Sequence, residues 1–165
     1  MVHHWQALKR VVRYLQGTKK LVLQFIRDES SVPLVGYADA DWASDVNDRK
    51  SVSGYLFKVF GCSVDWCSKK QATVATSSSE AEYVALSVAS AESVWLQGIL
   101  EDLNVACTPV TIFEDNRGAI HMANNIETKR TKHIDIRYHL FFSSSIIYLT
   151  RYKYNLMFNG ANYIW

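Results

Sequence analysis

Ser77-Ser78-Ser79-Glu80-Ala81-Glu82-Tyr83-Val84-Ala85-Leu86 opens the longest patterned stretch of the chain, and its reading decides the fold. Ser77 followed by Glu80 fits a capping box, in which the serine hydroxyl and the glutamate carboxylate satisfy free backbone donors at a helix start. Ala85, Leu86, Ala89, Leu96 and Leu100 then form one apolar stripe, which predicts a helix over 77–103. Such a stripe is buried by lying on a partner layer.

Strand formers supply that layer on both sides of the helix. Upstream, Pro33 precedes a strand over Leu34–Asp39, and Trp42–Lys50 is a polar loop. Val52–Phe60, the turn residue Gly61 and Cys62–Trp66 then read as an antiparallel hairpin, followed by a polar connection over Ser68–Thr76. Downstream, Pro109 precedes a strand over Val110–Asp115. A short helix over Asn116–Asn125, a basic loop over Lys129–His133 and a helix over Ile134–Phe142 follow. Strand, hairpin, long helix, strand, helix favours an α/β fold. The expected sheet is mixed, with an antiparallel hairpin, parallel strands at 34–39 and 110–115, and flanking helices. Before it lies an arm. Trp5, Leu8, Val11, Val12 and Leu15 repeat at helical spacing up to Gly17, and Leu21–Ile26 reads as a short strand.

With 165 residues and 48% hydrophobic side chains, the chain can build one domain with a core, plus an arm or tail. It has no run of some eighteen apolar residues, and Met1–Gln6 lacks the apolar centre of a signal peptide. The expectation is an intracellular protein, in a cytoplasmic particle or the nucleus, not secreted and with no membrane partner. Cys62, Cys67 and Cys107 form no Cys-x-x-Cys pair, so they read as buried reduced thiols rather than a zinc site. Trp42, Trp66 and Trp95 read as core aromatics. The serine run lacks a Gly-x-Ser-x-Gly elbow, which argues against a serine hydrolase. The formal net charge is only +2, but Lys69-Lys70 and Lys129-Arg130-x-Lys132 are basic knots. No Asp or Glu occurs from Ile136 to Trp165.

Three acids stand out against this frame. Asp39 and Asp115 each close a predicted strand, and sites in open α/β sheets form beyond such carboxyl ends. Glu82 lies three, four and seven residues before Ala85, Leu86 and Ala89, at the head of the sheet-facing stripe. No packing reason places an acid there, whereas Glu80 is already explained by capping. Asp39 and Asp41 are harder to separate, because both point to one face if the strand continues. Clustered carboxylates repel one another, and a bound divalent cation reverses the repulsion. Oxygen donors suit Mg²⁺ or Mn²⁺ rather than zinc. Spacing alone leaves an ordinary alternative open, since strand-end aspartates are common turn residues.

Five motifs in order change that balance. They are Tyr37-Ala38-Asp39-Ala40-Asp41-Trp42-Ala43, the segment Asp48–Phe57, the segment Ser77–Leu86, Glu114-Asp115-Asn116-Arg117-Gly118-Ala119-Ile120, and the segment Lys132–His139. The series resembles the ribonuclease H domain of copia-type LTR retrotransposon Pol polyproteins over residues 32–142. Trp5–Thr18 looks like the segment joining reverse transcriptase to that domain. The resemblance implies a remnant of the reverse transcriptase connection at 1–31, a ribonuclease H-like domain at 32–142, and a divergent tail at 143–165 for which a frameshift, decay or a miscalled gene boundary are the alternatives.

It further implies cleavage of the RNA strand of an RNA–DNA hybrid with two Mg²⁺ ions, Mn²⁺ being an alternative. Asp39, Glu82 and Asp115 would be the catalytic metal ligands. Asn116 would help orient substrate, and Lys69, Lys70, Lys129, Arg130 and Lys132 would contact nucleic acid. Ancestral fusion to reverse transcriptase and integrase is implied as well. The chain departs from the family at its end. Where the family has Ala-Asp-x-x-Thr-Lys, carrying a fourth carboxylate, this chain has Gly160-Ala161-Asn162-Tyr163. A second expectation therefore stands beside the first: a degenerate or domesticated fragment that binds nucleic acid without cutting it.

Overall fold

A computed structural model describes residues 2–26, 31–107, 109–125 and 147–151. The elements run α1 (Val2–Thr18), β1 (Leu34–Asp41), β2 (Val52–Val59), β3 (Cys62–Lys70), α2 (Ser78–Asp102), β4 (Val110–Glu114), α3 (Arg117–Asn124) and β5 (Ile147–Arg151). The predicted helix over 134–142 and the basic loop at 129–133 lie outside the described residues.

Five strands form one mixed sheet in the order β3-β2-β1-β4-β5. The hairpin pairs β2 with β3 antiparallel, and β1 joins β2 antiparallel. Its turn is two residues long, with Phe60 and Gly61 both at positive φ (47° and 80°) between the paired Val59 and Cys62. Two positive φ values in a two-residue loop give the backbone twist that matches a right-handed strand pair. β1 also pairs with β4, in parallel, as the two predicted strands require. β5 pairs parallel with β4, so the sheet draws on residues past 142 for which the sequence predicts no strand.

The predicted stripe on α2 is the core. Leu86, Ala89, Leu96 and Leu100 share one buried cluster with Leu34, Ala38, Phe57, Val110 and Ile112, with Ala119 and Met122 of α3 alongside, and Ala85 is buried too. α2 has the length and hydropathy of a membrane-crossing helix, but 61% of its apolar window is buried inside the domain. Its apolarity is therefore accounted for by packing. Ser77 caps it by accepting from the Glu80 N–H at 3.2 Å. The reciprocal bond of a capping box is displaced by one residue. Glu80 Oε2 accepts from Thr76 N–H at 2.7 Å, not from the cap residue itself.

Several expectations are corrected. β3 continues to Lys70, four residues past the predicted Trp66, because Lys69 and Lys70 keep pairing with Ser53 and Val52. Leu21–Ile26 is not a strand: no described strand pairs with it, and a lone extended segment has no ladder to stabilise it. Trp42, Trp66 and Trp95 are about half exposed rather than in the core. Trp66 falls on the outward alternation of the edge strand β3, and Trp42 Nε1 donates to the Ala75 carbonyl at 3.3 Å. Cys107 is buried, whereas Cys62 and Cys67 are only partly covered, and all three are free thiols.

Gly36 faces Phe57 across the β1–β2 ladder, and a Cβ placed there would lie 2.4 Å from that ring. Phe57 is fully buried, so the ring has no easy retreat. Gly36→Ala is expected to destabilise the fold by about 1–3 kcal/mol through overpacking. Urea denaturation measures this, and an unchanged midpoint with unchanged slope would show that the ring has room.

A candidate metal centre at the ends of the parallel strands

The β1–β4 register positions two of the three predicted acids. The last parallel pair is Tyr37 with Phe113, whose rings stack with centroids 5.2 Å apart. Two residues farther along each chain come Asp39 and Asp115. Asp115 lies one residue past the end of β4 rather than closing it, because the strand stops at Glu114. Asp39 does not end its strand either. β1 continues to Asp41 because it remains paired with β2, Asp39 opposite Gly54. Asp39 therefore sits where β1 parts from β4 while still held by β2.

Glu82 arrives from the other layer. It is buried in the first turns of α2, at 7% exposure. One carboxylate oxygen from each of Asp39, Glu82 and Asp115 lies within 4.8 Å of the others. The three acids, 33 or more positions apart in sequence, thus converge on one point. Asp41, the competitor of Asp39, is exposed and outside the trio. The loop after it is held by other groups: Ser51 Oγ accepts from Ala43 N–H, and Asp45 Oδ1 accepts from Asn47 N–H.

The electrostatics are those of crowded, half-desolvated acids. Burial pushes the Glu82 carboxyl up to about 9, and repulsion from Glu114, Asp39 and Asp115 adds to it. Asp39 is raised by burial first and then by Asp115 and Asp41. The Ala40 backbone N–H gives both some relief. Glu82 Oε2 is buried without a hydrogen-bond partner among the described residues. Among the described residues, no cationic side chain is one of the groups that shift Asp39 or Glu82. An all-oxygen donor set, one orphaned oxygen and no counter-charge among the described residues together fit a hard divalent cation.

Glu114 was not singled out by the sequence. It ends β4, is 0% exposed, and is pushed up to about 8 chiefly by burial. A signal existed: Val110, Ile112 and Glu114 alternate on one face, so an acid occupies a core register. Oε1 accepts from Asn116 N–H at 2.9 Å, and Oε2 has no partner among the described residues.

The expected substrate contacts divide. Asn116 serves the fold: its Oδ1 accepts from Gly118 N–H (2.9 Å), Ala119 N–H (3.1 Å) and Ser79 Oγ–H (3.0 Å), capping α3 and tying it to α2. Lys70 is engaged by Asp45 at 2.5 Å and Asp48 at 2.8 Å. Lys69 is exposed on the edge strand. Lys129, Arg130 and Lys132 lie outside the described residues.

No family model matches the chain. It is 62% identical over 93 residues to a Plasmopara viticola protein named Secreted RxLR effector protein 161, covering 56% of this chain and 65% of that one. It is 42% identical over 137 residues to the retrovirus-related Pol polyprotein from transposon TNT 1-94 of Nicotiana tabacum, covering 82% of this chain and 10% of the polyprotein. The chain thus spans under two thirds of the one relative and a tenth of the other. In fold it is similar to LC11-RNase H1, isolated from compost, with a TM-score of 0.52 and 13% identity over 73% of this chain and 84% of that one. The same protein solved in complex with RNA/DNA hybrid gives 0.51 and 14%, over 72% and 84%.

The raised carboxyls predict how stability depends on pH. Folded-state values above the unfolded ones mean that the folded form holds its protons more tightly. Stability is then full below the unfolded value of 4.5 and falls as pH rises toward about 9, where Glu82 titrates. Metal-free protein is expected to melt at progressively lower temperature from about pH 5 to pH 9. Mg²⁺ or Mn²⁺ should raise the melting temperature most at the alkaline end. Thermal scans with and without chelator measure both, and a metal-induced rise that is constant across pH would contradict this account.

Proposed function

We propose that this chain, a homologue of the retrovirus-related Pol polyproteins of plant transposons with a ribonuclease H-like α/β fold, is a metal-dependent nuclease that cuts the RNA strand of RNA–DNA hybrids. The observation that carries this reading is the convergence of Asp39, Glu82 and Asp115 within 4.8 Å at the carboxyl ends of parallel strands. The RNA/DNA hybrid in the complex of LC11-RNase H1 supports the choice of substrate.

In this reading Asp39 from the sheet, Glu82 from the helix and Asp115 from just past β4 would hold the two divalent cations. The ions supply an activated water and charge stabilisation at the scissile phosphate. The protein supplies position. β1 and β4 fix the two aspartates, and α2 packing fixes the height of Glu82. Lys69, Lys129, Arg130 and Lys132 would contact phosphates, which set register on the duplex rather than sequence preference. Discrimination of the RNA strand would come from its 2′-hydroxyls across the minor groove. Within a polyprotein, α1 and Leu21–Ile26 would connect a preceding reverse transcriptase to this domain, with integrase elsewhere in the same product and an intracellular site of action.

A second reading is favoured by one sequence observation. Asn162 stands near where the family carries its fourth carboxylate, and an amide lacks the charge to replace it. The chain would then bind hybrid without cutting it.

A labelled hybrid incubated with the full chain and Mg²⁺ or Mn²⁺ separates the two. Cleavage is expected, and Asp39→Asn should lower it by about a hundredfold or more, about 2.7 kcal/mol in the barrier, while leaving hybrid binding intact. Binding without cleavage by the wild type in both metals would sink the nuclease reading in favour of the second.

A further inference from the structure

Glu114 is a fully buried acid near the metal centre that neither reading uses. Its register calls for an apolar side chain, since Val110 and Ile112 precede it on the same face and are 0% exposed, as it is. A buried carboxylate without full hydrogen bonding is costly, and Oε2 has no partner among the described residues. Something must offset that cost. Oε1 does so locally, accepting from Asn116 N–H at 2.9 Å across the turn that contains Asp115.

The same residue links to the other layer. Asn116, whose backbone Glu114 holds, accepts from Ser79 Oγ–H at 3.0 Å, three residues before Glu82 on α2. Gly118 lies against the same serine, where a Cβ would come within 2.4 Å of Ser79 Oγ. The start of α3 and the first turn of α2 are therefore locked together through Asn116. Glu114 is also close enough to Glu82 for the two carboxylates to repel. Yet it is not among the three acids that share one point, so it acts behind them and not as a direct ligand.

We infer that Glu114 is a positioning residue of the metal centre: through Asn116 it holds the turn carrying Asp115 against the helix turn carrying Glu82. The inference rests on the nuclease reading and adds to it a fourth acid supplied by β4. Its function is that of a hydrogen-bond acceptor. An amide oxygen at the same place would serve, and a hydrocarbon would not.

The test compares full-length wild type, Glu114→Gln and Glu114→Leu by Mn²⁺ calorimetry, hybrid cleavage kinetics and thermal melting. Glu114→Gln is expected to keep Mn²⁺ affinity and kcat close to wild type. Glu114→Leu should melt no lower than wild type, yet bind Mn²⁺ about 10–100-fold more weakly, the range for losing a group that orients a ligand. Its kcat should fall while KM for hybrid holds. A role in folding alone would lower the melting temperature and leave Mn²⁺ affinity of the folded protein unchanged. Wild-type Mn²⁺ binding and turnover in Glu114→Leu would overturn the inference, as would a glutamine variant as damaged as the leucine one. If Glu114→Leu fails to fold, Glu114→Gln alone decides, a tenfold loss of Mn²⁺ affinity counting against the acceptor role. A wild type that neither binds Mn²⁺ nor cuts hybrid removes the nuclease reading and this inference together. An active wild type with an unaffected leucine variant removes the inference alone.

Discussion

Parallel pairing of β1 with β4 is the contact on which the rest of the structure depends. Two parallel strands cannot be joined by a tight turn, and a long crossover must carry the chain back to the same end of the sheet. Here the crossover is the β2–β3 hairpin and the 25 residues of α2. That excursion brings Asp39 and Asp115 side by side although 76 positions separate them in sequence. It also lays α2 across β1 and β2, so the burial of Leu86 and Ala89 sets where Glu82 stands. Weakening of the β1–β4 ladder would separate Asp39 from Asp115.

The geometry so obtained is electrostatically unfavourable by itself. Burial and mutual repulsion raise Asp39, Glu82 and Glu114, and among the described residues no cationic side chain is one of the groups that act on them. Lys70, nearby in the sheet, pairs with Asp45 and Asp48. Among the described residues, then, a lysine neutralises the loop acids and no basic side chain acts on the central ones. Such a division suits a site that holds a divalent cation. It also explains why neutral backbone donors, the N–H groups of Ala40 and Asn116, carry the burden of orientation.

The arm follows a different logic. α1 presents Trp5, Leu8, Val12 and Leu15 at 52–59% exposure, and Leu21–Ile26 is exposed as well. Helical spacing could announce α1, because the spacing is a property of the segment. It could not announce whether a partner covers the stripe. The same limit accounts for Trp42, Trp66 and Trp95, whose size suggested burial while their register turned them outward.

Local chemistry, then, was legible from residues alone. The cap at Ser77, the stripe along α2, the turn at Gly61 and the strand formers before Asp39 and Asp115 each depend on neighbours a few positions away. From them follow the mixed sheet, its parallel pair and the choice of Glu82 over Glu80. What required the tertiary structure was everything set by a distant partner: the extension of β3 to Lys70, the failure of Leu21–Ile26 to pair, the fifth strand at Ile147–Arg151, and the capture of Asn116 and Lys70 by protein groups. Glu114 marks the boundary between the two. Its alternation with Val110 and Ile112 was visible in the sequence, but its burial behind Glu82 arises only when α2 is packed on the sheet, because desolvation and repulsion are properties of the folded arrangement and not of the residue.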